Sequence, residues 1–256
     1  MQPIFTSSNC VFRQCRHALR PASVPLFLDF LAPSSLRQSQ LRYNSTSSDS
    51  TGNNGSQNPS QAKPRYLLSK RQREFLDSAL RVNQAGELAA VLIYASQTPQ
   101  VLRSHPHLRE LMKHMYDQEA GHFSTFNNLI AKHQVRPTAM YPIWEMAASF
   151  LGWSTGAMGR EAAMACTEAV ETEIGSHYNE QIREIMSWEA EAESRGEELD
   201  DELKEMLSTF RRIRDEELEH LDHALANDAK EAKPYDPLTN IIRFGCRAAI
   251  KISEKI

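Results

Sequence analysis

The feature that most constrains this chain is a set of four glutamates on helical faces that should be apolar. Glu119 falls in line with Leu108, Leu111, Met112, Met115, Phe123 and Phe126 at three- and four-residue steps, and Glu217 with Phe210, Ile213, Leu221 and Ala224. Glu87 shares a face with Leu76, Leu80, Val91 and Tyr94, and Glu171 shares one with Met164, Ile174, Tyr178 and Ile182. Such spacing belongs to amphipathic helices whose apolar stripe packs inward. One isolated carboxylate in that position costs several kcal/mol or takes up a proton. Four of them also repel one another, so a positive partner is required.

Two histidines point to what that partner is. Glu119 and His122 are three residues apart, as are Glu217 and His220, which puts each pair on one helical face. A lone Glu-x-x-His on a charged helix means little. Here the two occurrences lie on alternate helices, in phase with apolar faces, and the other two helices each offer one inward glutamate. One Glu on each of two helices and Glu-x-x-His on each of the others is the ligand set of di-iron and di-manganese carboxylate bundles. Two divalent cations would also balance four carboxylates. The expected ligands are therefore Glu87, Glu119, His122, Glu171, Glu217 and His220. In that reading Glu119 and Glu217 bridge, Glu87 and Glu171 are terminal, and each histidine holds one ion. Carboxylate and imidazole donors without sulfur suit iron or manganese better than copper(I) or structural zinc, and two irons ~3.5–4 Å apart can share one O2. Glu110 with His114 and Glu219 with His223 sit off the stripe and read as surface pairs.

The rest of the chain fits an all-α domain. Helical periodicity covers 69–97, 105–134, 158–192 and 199–229, with breaks expected at Pro99 and Pro106, at Pro137 and Pro142, around Gly196, and at Pro234 and Pro237. Short connections between long helices imply antiparallel neighbours in an up-down bundle. Two further segments lie outside the four. Residues 139–159 are apolar, with Trp144 and Trp153. Residues 238–252 form an amphipathic helix with Leu238, Ile241, Ile242, Gly245, Ala248, Ala249 and Ile252 on one side and Arg243, Arg247 and Lys251 on the other. Both have the character of segments that lie in a membrane interface or against a partner, with packing against the bundle as extra core helices the alternative. No uncharged run reaches the length of a membrane span.

The first 43 residues carry five arginines, no lysine and a single acid, Asp29, the composition of a mitochondrial transit peptide. Residues 44–65 read as a flexible linker, and 66–256 as the folded domain. Without the leader, 24 basic and 32 acidic side chains remain, a net charge of −8 that argues against a nucleic-acid partner. Cys166 and Cys246 would remain, without a C-x-x-C motif, so neither a disulfide framework nor a zinc–thiolate site is expected.

The segments RVNQAGE at 81–87, DQEAGH at 117–122, AMACTEAVE at 163–171, HYNEQI at 177–182 and FRRIRDEELEH at 210–220 closely resemble the 5-demethoxyubiquinone hydroxylase family of ubiquinone biosynthesis. The resemblance runs from about residue 69 to the C-terminus. It departs at 187–200, SWEAEAESRGEELD, which looks long and acidic for the corresponding loop. It implies a ferritin-like four-helix bundle with additional amphipathic helices. The implied activity is a di-iron monooxygenase that uses O2 to hydroxylate the benzoquinone ring of demethoxyubiquinone, peripheral to the matrix side of the mitochondrial inner membrane. It further implies NADH as the source of electrons, though the chain offers no Gly-rich nucleotide fingerprint and no NADH site is assigned. A lipid-binding partner from the same biosynthetic complex is also implied, and oligomeric state is left open. In the family reading His177 lies near the site; a core histidine is an equal alternative. Tyr178, on the Glu171 face, is either beside the ligands or simply core, and Glu168 is either a hydrogen-bond partner of the site or solvated. Two other functions share the scaffold: an iron store or ferroxidase, and a quinol oxidase that reduces O2 to water.

Overall fold

A computed structural model describes residues 64–256; the expected transit peptide and nearly all of the linker lie outside the described residues. Six α-helices follow in order: α1 (Lys70–Ser104), α2 (Arg109–Lys132), α3 (Tyr141–Met158), α4 (Arg160–Ser194), α5 (Asp201–Ala226) and α6 (Tyr235–Ser253). Helices α1, α2, α4 and α5 are the four expected from periodicity. With α3 and α6 they make the all-α, ferritin-like bundle with two added helices.

Local chemistry sets the starts. Ser69 and Gln72 form a reciprocal capping box at α1, and the Asp200 carboxylate accepts from the Leu203 N–H at α5. Pro237 falls in the first turn of α6, where a missing N–H costs nothing. Pro99 does not end α1 as expected; the helix continues to Ser104. Val101, 1% exposed, packs there with Leu108 and Met112, and this burial outweighs the lost backbone bond. At 187–200, α4 extends to Ser194 and Gly196 takes a φ of 70° before Asp200 restarts the chain. Next to that turn Tyr66 is buried, its N–H donating to the Glu198 carbonyl at 2.8 Å.

The core is layered along the bundle. One apolar layer contains Leu80, Phe126, Tyr178, Ile182, Phe210 and Ile213; the other contains Tyr94, Val101, Met112, Met115, Met164 and Ala224. On each of the four helices the expected ligands fall between residues of these two layers.

Helix α3 packs along α1 and α6 along α4. The α1–α3 crossing is close because Gly152 has no side chain: a Cβ there would lie 2.4 Å from the Ile93 carbonyl oxygen. Trp144 Nε1 donates to Ser253 Oγ at 3.0 Å and joins α3 to α6. No helix among the described residues is long and apolar enough to cross a membrane.

The face that α6 turns inward differs from expectation. Ile242 is buried, whereas Ile241 and Phe244 are 72% and 70% exposed. The basic side is also engaged: Arg243 donates to Thr172 at 3.2 Å and Arg247 pairs with Glu173 at 2.6 Å, both on α4. Those arginines are therefore tied to the bundle and are not a free basic surface, because α4 presents its own polar and acidic groups to them.

Candidate metal centre

All six expected ligands converge in mid-bundle, each no more than 3% exposed. Their donor atoms form two overlapping groups. Glu87, Glu119, His122 and Glu217 make one, and Glu119, Glu171, Glu217 and His220 make the other, with the atoms of each group within 4.8 Å of one another. Glu119 and Glu217 belong to both, the positions that bridging carboxylates would take. Each histidine turns Nδ1 inward. His122 Nδ1 lies 3.1 Å from Glu217, 3.4 Å from Glu87 and 3.6 Å from Glu119. His220 Nδ1 lies 2.9 Å from Glu119 and 3.2 Å from Glu217.

The donor set fits a pair of hard or borderline cations. Glu87 Oε2, both Glu119 oxygens and His122 Nδ1 are buried with no hydrogen-bond partner. Orphaned atoms of this kind would each cost 1–3 kcal/mol or more without compensation, and here they are aimed at common points. The electrostatics agree. Burial and the neighbouring carboxylate Glu217 raise the pKa of Glu171 well above its usual value, and burial raises Glu87 as well. Burial alone would depress the two imidazoles, but the close approach of the carboxylates Glu119 and Glu217 outweighs it: His122 is raised, and His220 is raised to about 11. Without cations, protons gather in the positive role that metal ions would fill.

Around the donors lies a ring of polar partners with approximate two-fold symmetry. Tyr178, seven residues after Glu171, donates to Glu87 on α1, and Tyr94, seven residues after Glu87, donates to Glu171 on α4 at 3.3 Å. On the outer edge of the histidines, His220 Nε2 meets Gln118 Oε1 at 3.0 Å and His122 Nε2 meets Glu216 Oε2 at 2.5 Å. Tyr178 thus touches a ligand. His177 does not; its Nε2 meets Gln181 at 2.7 Å, and Gln181 is in turn doubly bonded to Asn83. Glu168 is buried but faces away from the ligands, accepting from Lys230 at 2.6 Å and from Tyr235 at 2.6 Å. The off-stripe residues His114, Glu219 and His223 meet at the surface, where Glu219 and His223 approach to 3.5 Å.

Sequence reasoning missed Gln118, Glu216 and the role of Tyr94. The tyrosine was findable, since its seven-residue step from Glu87 repeats that of Tyr178 from Glu171. Gln118 and Glu216 directly precede glutamates on the stripe, so periodicity places them to the side and gives no sign of their partners.

A groove of about 350 Å³ opens beside the centre between α1, α3, α4 and α6. Its walls include Ala89, Ala147, Leu151 and Ile242, and its lining includes Gly86 and Val170, the residues immediately before Glu87 and Glu171. Ile241, on α6, is 72% exposed at the groove's rim, and outside the groove Ile143, Met146, Phe150 and Trp153 on α3 and Phe244 on α6 are exposed.

A family model described as "Ubiquinone biosynthesis protein COQ7" matches residues 74–253. Among curated proteins, the chain is 45% identical over 190 residues to the mitochondrial 5-demethoxyubiquinone hydroxylase of Saccharomyces cerevisiae, which covers 74% of this chain and 82% of the yeast protein. It is 41% identical over 184 residues to the human mitochondrial NADPH-dependent 3-demethoxyubiquinone 3-hydroxylase, covering 72% and 79%. It is also 39% identical over 183 residues to the 3-demethoxyubiquinol 3-hydroxylase of Rhodospirillum rubrum, covering 71% and 78%.

Proposed function

Since the chain belongs to the ubiquinone biosynthesis protein COQ7 family, we propose that it is a mitochondrial di-iron monooxygenase that hydroxylates the benzoquinone ring of demethoxyubiquinone, with Glu87, Glu119, His122, Glu171, Glu217 and His220 as the iron ligands. The observation that carries the reading is the buried donor cluster together with an apolar groove against two of the helices that carry it. Gly86 and Val170, each one residue before a donor, line the groove, so an apolar tail along α3 and α6 would bring a planar ring against α1 and α4 beside the centre. Two bound ferrous ions would supply the two electrons for splitting O2, one atom going to the ring and the other, with two protons, to water.

The chain's own residues do the positioning. Tyr94 and Tyr178 hold the outer carboxylates in place, the apolar layers on either side exclude water, and Gly86 leaves room at the groove floor: its own Cβ would meet only Ile174, at 3.7 Å. The electrons come from a nicotinamide nucleotide. The sequence resemblance implies NADH, and the human and other animal relatives carry NADPH in their names. The exposed stripes on α3 and α6 support a peripheral place on the matrix side of the inner membrane and contact with a lipid-binding partner.

An iron store would share the centre but has no use for the groove. A quinol oxidase would share both and leave the ring unhydroxylated. The deciding experiment loads the purified protein with iron and supplies O2, reductant and a short-tailed demethoxyquinone. Addition of one oxygen atom to the ring is the expected result. Consumption of O2 with the quinone unchanged in mass would overturn the reading in favour of an oxidase, and accumulation of ferric mineral in favour of a store.

A further inference from the structure

The ligand-bearing positions and the tyrosines around the centre follow a two-fold relation, and the partners of the two histidines depart from it. Helices α1 and α2 correspond to α4 and α5. Glu87 and Tyr94 answer to Glu171 and Tyr178, and Glu119 and His122 answer to Glu217 and His220. The residue before each Glu-x-x-His reaches across to the other motif's histidine, Gln118 to His220 Nε2 and Glu216 to His122 Nε2. Here the symmetry breaks, because one partner is a neutral amide and the other a carboxylate. The contact lengths follow the chemistry, 3.0 Å to the amide and 2.5 Å to the carboxylate, as charge-assisted hydrogen bonds are shorter.

We infer that Glu216 and Gln118 are positioning residues that make the two metal positions inequivalent, with the His122 position the tighter one. The physical basis is the hydrogen bond on the outer nitrogen. A carboxylate accepting from Nε2–H fixes the ring's orientation and tautomer and makes Nδ1 a stronger donor, and an amide carbonyl fixes the orientation with less effect on Nδ1. Arg212 holds the Glu216 carboxylate with contacts of 2.8 and 3.0 Å. It offsets part of the negative charge, but it also fixes the oxygen against the imidazole. Glu216 is about one-quarter exposed, its side chain at 27%, so the site edge tolerates an isosteric change there.

The inference rests on the proposed six-ligand centre, and titration with one metal separates the two. Anaerobic titration of the complete protein with Co2+, read by visible absorption, is expected to reach two ions per chain in two resolved steps. Fewer than two ions, or loss of neither ion in Glu119→Ala, would count against the ligand set itself. Glu216→Gln keeps the hydrogen bond and removes the charge. It should weaken the first step by about 10-fold, within the 10- to 100-fold range typical of such outer partners, and leave the second in place. Gln118→Glu should strengthen the second step and draw the two together. The double swap, Gln118→Glu with Glu216→Gln, should restore two separated steps. Mössbauer spectra of the protein loaded with ferrous iron should follow: two distinct doublets in the parent, more alike in either single variant. If two ions bind but the steps keep their separation in both single variants, the inference is overturned. Equal weakening of both steps by Glu216→Gln would reduce Glu216 to a structural role and overturn it equally. Should Glu216→Gln fail to fold, Gln118→Glu alone decides.

Discussion

Tyr94 stands on the same helical face as Glu87, two turns along α1, yet its hydroxyl donates to Glu171 across the bundle at 3.3 Å. Tyr178 does the converse from α4 to Glu87. Each outer carboxylate is therefore held by the helix that carries the other, and the two halves of the bundle are cross-tied at the centre. Tyr94→Phe or Tyr178→Phe should each cost about 1–3 kcal/mol, because a buried carboxylate oxygen loses a donor. Two metal ions should still bind, since neither phenol is a ligand. Denaturant unfolding and metal analysis of the two variants check both statements.

Removing a shared ligand should have a different effect. In Glu119→Ala or Glu217→Ala, a carboxylate common to both donor groups disappears. Bound metal should fall well below two ions per chain and hydroxylation should be lost, while far-ultraviolet circular dichroism shows the helices retained. By contrast, His114→Ala, Glu219→Ala and His223→Ala remove donors that meet at the surface, and the two tightly held ions should remain. Loss of those ions in any of the three would show that the surface group belongs to the centre.

Much of this centre was legible because buried charge is expensive. Glu119 and Glu217 announced themselves by standing on apolar stripes, and the three-residue step to His122 and His220 supplied the rest. Four helices followed from period alone, although Pro99 misplaced the end of α1, because burial of Val101 is a tertiary effect that local propensity does not contain. The rotation of α6 was misread for a related reason. Ile241 and Ile242 are adjacent and equally apolar, and only the packing of α6 on α4 determines that Ile242 turns inward. Which residues lie near His122 Nε2 and His220 Nε2 depends on the facing helix, so Glu216 and Gln118 could not be found by reading along one strand of sequence.

His177 gives a pH prediction with a definite sign. Burial lowers its pKa below 6.5, partly opposed by Glu254 and Glu180. The unfolded chain therefore takes up this proton first as pH falls. The stability tied to a neutral His177 is whole above pH 6.5 and is lost as pH drops from 6.5 toward the lowered value. His177→Gln can still meet Gln181 but does not titrate. Measured on metal-loaded protein between pH 7 and 5, unfolding free energy should fall less steeply in the variant than in the parent. Equal slopes would mean that His177 titrates alike in the folded and unfolded chains and that its burial does not shift it.

Two glycines should respond in opposite ways. Gly152→Ala places a Cβ 2.4 Å from the Ile93 carbonyl oxygen, a backbone atom that cannot step aside. Helices α1 and α3 would have to separate, at a cost of about 1–3 kcal/mol or more. Gly121→Ala on α2 meets nothing within 4 Å and should stabilise by roughly 0.5–1 kcal/mol through helix propensity. Thermal unfolding of both variants checks the contrast.

The outward stripes on α3 and α6 lead to the last prediction, which separates lipid contact from metal chemistry. Phe150 and Trp153 on α3 and Phe244 on α6 flank the groove without lining it, between 52% and 70% exposed. Arg243 and Arg247 also bond to α4, which offsets part of the charge on that side, and apolar insertion is the contribution tested by the variant. Phe150→Ser with Phe244→Ser removes ~60 Å² or more of apolar surface per residue, roughly 1.5 kcal/mol each at about 25 cal/mol per Å². The pair should therefore weaken liposome association by about two orders of magnitude if that surface is fully inserted. Neither side chain supports the core, so two metal ions and turnover of a short-tailed quinone should survive, while use of a long-tailed quinone in vesicles falls. Ile242→Ser is the counter-case: that side chain is buried with Ile93 and Cys166, and its loss should lower stability. If the Phe150–Phe244 double variant floats with liposomes as well as the parent, the stripe is not a lipid contact, and its exposure is left for a protein partner to explain.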